Sequence, residues 1–279
     1  MNITLKNAAL MLAVGIAISS CQKMDRPALG DYPKDANPPG GPLKFFAAMD
    51  GSSVDSIRAN FGVDNNVTYV DGVSGQAMQA GTDGYIVYPS VNDLGRSHNF
   101  TLAFWIKKNG PNPAGAGTTF TFGVATSTDI WTHMDMFIEF EDAGNPSTAD
   151  SAAAKFYLKD QWFEYTKTPT VDKRLPGVLD GDWHQLAWVF DSASATLTTY
   201  IDGAADTNLP DSFGNFTING GVLDLSTIAG LVVGGPGHYA IGQTPDSWMG
   251  NWNGAIDQFR FYGEALSASD IAALYASRQ

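Results

Sequence analysis

Hydrophobic and polar residues alternate in short runs along most of the chain. In MDMFIEFED, the side chains of Met134, Met136, Ile138 and Phe140 fall on one side of an extended backbone, and those of Asp135, Phe137, Glu139 and Glu141 on the other. LKFFAA (43–48), YIVYP (85–89), FTLAFWIKK (100–108), TFTFGV (119–124), AKFYLK (154–159), WFEYT (162–166), WHQLAWVFD (183–191), ATLTTYID (195–202) and GAIDQFRFYG (254–263) are similar in length and rich in aromatic and β-branched residues. Gly, Asp, Asn and Pro separate them, which predicts strands joined by turns. In FTLAFWI, Phe100, Leu102, Phe104 and Ile106 alternate with Ala103 and Trp105, so both sides are apolar and the strand belongs inside a sandwich. The predicted fold class is all-β, a two-sheet antiparallel jelly-roll β-sandwich. One helix is predicted, in ALSASDIAALYAS. There Ser267 caps, Asp270 completes a capping box, Leu266 and Ile271 form a hydrophobic staple, and Ile271, Leu274 and Tyr275 make the buried stripe.

The N-terminus follows a different pattern. Lys6 precedes an apolar run from Ala8 to Ile18, too short for the roughly 20 residues of a membrane span and suited to a secretory signal. Ile18-Ser19-Ser20-Cys21 resembles the bacterial lipobox, in which the cysteine is lipidated and becomes the mature N-terminus. Cys21 is also the chain's single cysteine, so no disulfide forms within it. Residues 22–42 are rich in Pro, Gly and Asp and carry no hydrophobic period. The predicted organisation is a signal peptide over 1–20, a flexible tether from lipidated Cys21 over 21–42, and a β-sandwich domain over 43–279. A lipid anchor holds such a protein to a membrane without a spanning helix. By analogy with lipoprotein sorting, Gln22 in place of an aspartate favours the outer membrane, and Lys23 and Asp25 are compatible with surface exposure.

Charge narrows the choice of partner. A formal net charge of −13 argues against nucleic acid and against strongly anionic polysaccharides. Aromatic residues reach 12% although charged residues are only 16%, and flat rings are what sugar-binding faces need. His98, His133, His184 and His238 show no zinc-ligand spacing. His184 belongs to a strand and reads as structural. The Gly-rich VVGGPGHYAIG reads as a loop and a short strand.

FTLAFWIKK, then DGDWHQLAWVFDSASATLTTYIDG, then NGAIDQFRFYGEALSASDIAALYAS resemble, in that order, the laminin-G-like domains of the concanavalin A-like lectin/glucanase superfamily. AAMDG followed by DGVSGQAMQAGTDGYIVYP is similar to that family's opening. The resemblance covers nearly all of residues 43–277. It implies a curved sandwich with one concave and one convex sheet. It implies no single activity, because relatives include lectins, glycan-binding modules, adhesion domains and glycosidases. It also implies a structural calcium ion where the first and last strands meet, with Asp50 and Asp257 as carboxylates and a backbone carbonyl near Gly75 as a further contact. Calcium takes 6–8 oxygens, carbonyls and water included.

Candidate residues for chemistry fall into two groups. Asp135, Glu139 and Glu141 would be the catalytic carboxylates of an enzyme. Residues two apart on a strand rise about 6.6–6.8 Å, and a retaining pair needs carboxyls about 5–5.5 Å apart. The laminarinase-type enzymes of this fold carry Glu-x-Asp-x-Glu, and here Phe137 occupies a slot of that trio in either register. A polar face that contacts a ligand is therefore the preferred reading, with Asp135 and Glu139 bonding sugar hydroxyls. Among the tryptophans, Trp105, Trp183 and Trp188 sit in strong strand patterns and are expected in the core. Trp131, Trp162, Trp248 and Trp252 are expected to be sugar platforms, with Glu164 sharing the face of Trp162.

The function expected from these readings is a membrane-anchored, envelope-exposed lipoprotein that captures a neutral poly- or oligosaccharide without catalysis. Two alternatives stay open: a glycoside hydrolase with a divergent carboxylate pair, and an adhesion or assembly module that recognises an envelope protein.

Overall fold

A computed structural model describes residues 41–112, 117–126, 136–140, 147–159, 161–214 and 223–278. All belong to the unit Pro39–Gln279. The signal, residues 21–40 of the tether with Cys21, and Trp131, His133, Asp135 and Glu141 lie outside the described residues.

The strands form two antiparallel layers, as the alternation predicts. One layer runs in the order Val54–Asp55, Leu43–Ala47, Ala255–Tyr262, Phe100–Asn109, Asp180–Asp191, Thr196–Ile201. The other runs Val63–Asp71, Gln76–Tyr88, Ile228–Val233, Thr118–Thr126, Met136–Phe140, Ala154–Leu158, Gln161–Tyr165, Asp211–Gly214. The ladder does not break between them. Ala255 pairs with Gln79 and Ile256 with Met78, so one curled sheet folds over into a sandwich. Closing an edge in this way removes unpaired backbone that would otherwise recruit another chain. Among the described pairings, Met249–Asn251 against Thr118–Phe120 is parallel.

The core lies between the layers and is built from rings. Phe100 stacks on Phe190 and Phe261 at 5.5 Å within its own layer and meets Phe156 of the other layer at 5.9 Å. Phe104 lies 5.3 Å from Phe259 and 5.6 Å from Trp188. Each such pair adds about 0.5–1.5 kcal/mol beyond its area burial, which matters in a domain without disulfides.

The outer face of the first layer is closed by the helix Ala268–Ser277. Its capping box is present: Asp270 N donates to Ser267 Oγ at 3.2 Å, and Ser267 N donates to Asp270 Oδ2 at 3.1 Å. Ala103 and Ala187 are small enough for buried Ile271 to reach the sheet, with Val189 and Tyr200 around it and Leu266 beside them. Tyr275 stacks on Trp105 at 5.4 Å.

The Asp180–Gly181–Asp182–Trp183–His184 and Tyr200–Ile201–Asp202–Gly203 motifs lock this layer together. His184 Nδ1 lies 2.8 Å from Asp202 Oδ2, and its Nε2 lies 3.0 Å from Asp180 Oδ1. Gln185 N donates to Asp202 Oδ1 at 2.9 Å. The imidazole pKa is raised to about 9, first by the hydrogen bond to Asp202 and then by that to Asp180, against the opposing effect of burial. Gly203 has φ +79°, and a Cβ there would come within 2.8 Å of Tyr275 Cβ, so the turn needs glycine to seat the helix.

Candidate functional site

The outer face of the second layer differs from the helix-covered one. Met136, Ile138 and Phe140 point into the main core, while Phe137 and Glu139 point outward. Register carries the outward rows across the sheet. Glu164 stands opposite Lys155, Lys155 opposite Glu139, and Glu139 opposite Phe120. In the next row Trp162 stands opposite Tyr157, and Tyr157 opposite Phe137. Trp162 and Glu164 thus share a face, as strand period predicts, and the register adds Glu139 to it.

The outward face of Met136–Phe140 is covered, which corrects the expectation that Glu139 bonds sugar hydroxyls directly. Phe137 is 1% and Glu139 2% exposed. The neighbouring rings are the reason. Phe137 stacks on Tyr157 at 4.8 Å, meets Trp162 edge-on at 5.3 Å, and lies 5.4 Å from Phe120. Met249 and Ile241 complete this satellite cluster. A Cβ at Gly123 would come within 2.6 Å of Gly237 N, so glycine allows the short helix Gly237–Ile241 to lie against the neighbouring strand Thr118–Thr126.

Half-buried Trp162 stands at the edge of the cluster, fixed by Phe137 and by Tyr157, whose ring is 4.9 Å away. Lys155 Nζ lies 5.5 Å from its ring centroid, 3.5 Å from Glu164 Oε1 and 3.9 Å from Glu139 Oε1. The sequence reading missed Lys155, because its partners arrive from two other strands and no local motif marks them. Trp248 is 42% exposed, with its ring 6.1 Å from that of Phe120. A ring beside carboxylates and an ammonium can stack against the CH face of a sugar and bond its hydroxyls.

Trp252 requires a correction. It is 0% exposed, and its ring lies 5.1 Å from Phe140 within the main core. Its backbone N donates to Gly234 O at 2.9 Å, and Nε1 reaches Ala255 O at 3.4 Å, so it offers no sugar platform. Trp188 lies in the core as expected, whereas Trp105 is buried on the outer face of the first layer, beneath the helix. Trp183 is only half-buried and helps to line a cavity of about 500 Å³ with Gln79, Lys107, Asn109 and Asn253.

Asp50 and Asp257 meet at the turn Gly72–Gly75. Asp257, 0% exposed, accepts from Val73 N at 2.7 Å and Ser74 N at 3.3 Å through Oδ2, while its buried Oδ1 has no partner. Asp50 Oδ1 accepts from Gln76 N at 2.7 Å. Burial first, and then the charge of Asp50, raise the Asp257 pKa to about 6. Gly75 has φ +66°, and a Cβ there would fall 1.9 Å from Asp50 Oδ1, so the turn closes tightly on the carboxylate. No group of three or more His, Cys, Asp or Glu among the described residues is placed to hold a metal. The arrangement suits a hard cation held by two carboxylates and completed by carbonyls and water: two acids repel each other, and one buried oxygen lacks a partner. His98 Nδ1, 2.8 Å from Leu223 O, and the doubly bonded His184 are structural.

With fold and face in view, comparison with known proteins gives the class. Residues 80–272 match the Laminin_G_3 family model, described as the concanavalin A-like lectin/glucanases superfamily, and the chain belongs to this family. No curated protein matches the chain. Among solved structures, domain 4 of the extracellular arabinanase AbnA from Geobacillus stearothermophilus, in complex with arabinotriose, is similar at TM-score 0.54 and 19% identity, covering 84% of this chain and 98% of that one. The receptor binding domain of botulinum neurotoxin C/D mosaic serotype is similar at TM-score 0.55 and 13% identity, over 85% of this chain and 51% of that one. Trypanosoma rangeli sialidase in complex with sialic acid is similar at 0.52 and 14%, over 85% and 33%. At these identities the likeness is one of fold. No helix among the described residues is long and apolar enough to cross a membrane.

Proposed function

We propose that this protein is a non-catalytic carbohydrate-binding lipoprotein, anchored through Cys21 in a bacterial outer membrane, that captures a neutral glycan on the outer face of the second layer. The observation that carries this reading is the half-buried Trp162 ring, held edge-on by Phe137 and Tyr157 and flanked by Lys155 and Glu164. The rings fix the platform before a ligand arrives, which lowers the ordering cost of binding. Trp131 and Asp135 are carried as further sugar contacts from the sequence alone, and Trp248 extends the face. The arabinanase domain of similar fold holds arabinotriose, an uncharged oligosaccharide, which fits this reading.

Hydrolysis fits the face poorly. Of the carboxylates on the described part of this face, Glu139 and Glu164 both lean on one ammonium, with their Oε1 atoms 3.9 and 3.5 Å from Lys155 Nζ, so both charges are already engaged by the same partner. The Lys155 ammonium lies between them, where an inverting pair would keep its water. Calcium at Asp50 and Asp257, with the Gly75 carbonyl, belongs to the same proposal as a structural clamp between the start and the end of the domain.

The test is gel retardation through neutral and acidic polysaccharides, followed by a reducing-end assay on the same gels. Retardation by a neutral glycan without new reducing ends supports the reading, and new reducing ends overturn its non-catalytic part. For the clamp, calcium added to chelator-treated protein should raise the melting temperature by several degrees, by mass action on the folded state. An unchanged melting temperature removes calcium from the account.

A further inference from the structure

A polar cavity of about 350 Å³ lies away from the tryptophan face, lined by Lys44, Asp93, Arg96, Ser97, His98, Asn99 and Gly263. Its side chains are unusual for a chain of net charge −13. Asp93, the acid in the wall, is already engaged by Arg58, whose Nε and Nη2 donate to its two oxygens at 3.1 and 2.8 Å. Lys44 Nζ approaches the same carboxylate only to 3.8 Å. Arg96 makes no hydrogen bond or ion pair among the described residues, and it is exposed at the rim. The local field at the cavity is therefore positive although that of the molecule is negative, and such a recess concentrates anions. The opposing acids nearby are Asp224, influenced by Lys159 and His98, and exposed Glu264, which follows Gly263 in the chain.

Two further observations point to a ligand. Ser97 is 4% exposed, and its buried Oγ has no hydrogen-bond partner. A buried hydroxyl left unsatisfied is costly and needs a reason. Gly263 supplies the opening beside it: a Cβ there would come within 2.8 Å of both Ser97 Oγ and Lys44 Cε. Asn99 Oδ1 is committed to Ser192 N at 2.8 Å, which turns the amide nitrogen into an available donor, and His98 retains Nε2 because Nδ1 serves Leu223 O. The cavity thus presents a guanidinium, an ammonium, a hydroxyl, an amide and an imidazole. Its volume lies at the lower end of ligand pockets and exceeds what a bare oxyanion fills.

We infer that this cavity is a second carbohydrate site, selective for an acidic sugar whose carboxylate is held by Arg96 and Lys44 and whose hydroxyls meet Ser97 and Asn99. It goes beyond the neutral-glycan reading and is independent of it, since none of its residues belongs to the Trp162 face.

The test is isothermal titration of the full-length protein with glucuronate at low salt, with glucose as the uncharged counterpart and inorganic phosphate as the bare anion. Glucuronate should bind saturably, at least tenfold more weakly to Arg96→Ala, and as tightly to Trp162→Ala as to the wild type. Ser97→Ala, which removes only a hydroxyl, should weaken binding several-fold, and raising the salt should weaken it further. Glucose bound by the protein should be lost in Trp162→Ala and kept in Arg96→Ala, which separates this site from the neutral-glycan face. Absence of saturable glucuronate binding, equal affinity in Arg96→Ala, or phosphate bound more tightly than glucuronate would each overturn the assignment.

Discussion

The sandwich has two outer faces, built from the same alternation and finished in opposite ways. On the first layer, Ala103 and Ala187 leave a shallow seat, and a capped helix fills it with Ile271 and Tyr275. On the second layer the corresponding positions carry Phe120, Phe137, Tyr157 and Trp162, crossed by a row of Glu139, Lys155 and Glu164. Small residues invite a permanent cover made by the chain itself. Large rings beside charges hold one another in place and still leave the Trp162 and Trp248 side chains partly open. The difference separates a structural face from a receptive one, although both are rich in buried apolar surface.

This contrast can be broken by substitution. Ile271→Ala empties a fully buried seat and should cost about 2–5 kcal/mol in urea unfolding while leaving glycan retention unchanged. Trp162→Ala should do the reverse: affinity for the glycan falls by about tenfold or more, with a smaller loss of stability because the ring is only half-buried. Loss of retention in both variants, or in Ile271→Ala alone, would reverse the assignment of the faces.

The first layer should also reveal itself by pH. The folded protein holds the His184 proton more tightly than the unfolded chain does, since its pKa is raised to about 9, chiefly by Asp202. The resulting stabilisation is complete below about pH 6.5 and is lost as pH rises through about 9. With allowance for solvent screening it amounts to about 1–2 kcal/mol. Denaturation midpoints measured from pH 6 to 10 should show this decline in the wild type, and His184→Gln should flatten it. Smallest in effect, Ser267→Ala removes the helix cap and should lower the melting temperature by about 2–4 °C without affecting retention, as calorimetry and gel retardation together would show.

The helix and the central strands were legible in the sequence because their signals are local. Ser267 and Asp270 are three residues apart, and the alternation in FTLAFWI shows a strand buried on both sides. The strand Val63–Asp71 escaped notice because an exposed edge tolerates Asp64, Asn65 and Asn66, which read as turn residues. Trp252 misled for a related reason. GNWNG has the composition of a turn, but Met249–Asn251 pairs with Thr118–Phe120 and draws the ring inward, a contact with no local trace. At the candidate site, the shared face of Trp162 and Glu164 followed from strand period alone. Lys155 and the burial of Glu139 depend on three strands meeting in register.

The most direct measurement of the central claim is affinity electrophoresis of the wild type and Trp162→Ala side by side through neutral polysaccharides, with reducing ends assayed afterwards. The account predicts retardation of the wild type by at least one neutral glycan, no new reducing ends, and free migration of the variant. Equal retardation of the two proteins, or reducing ends released by the wild type, would contradict it.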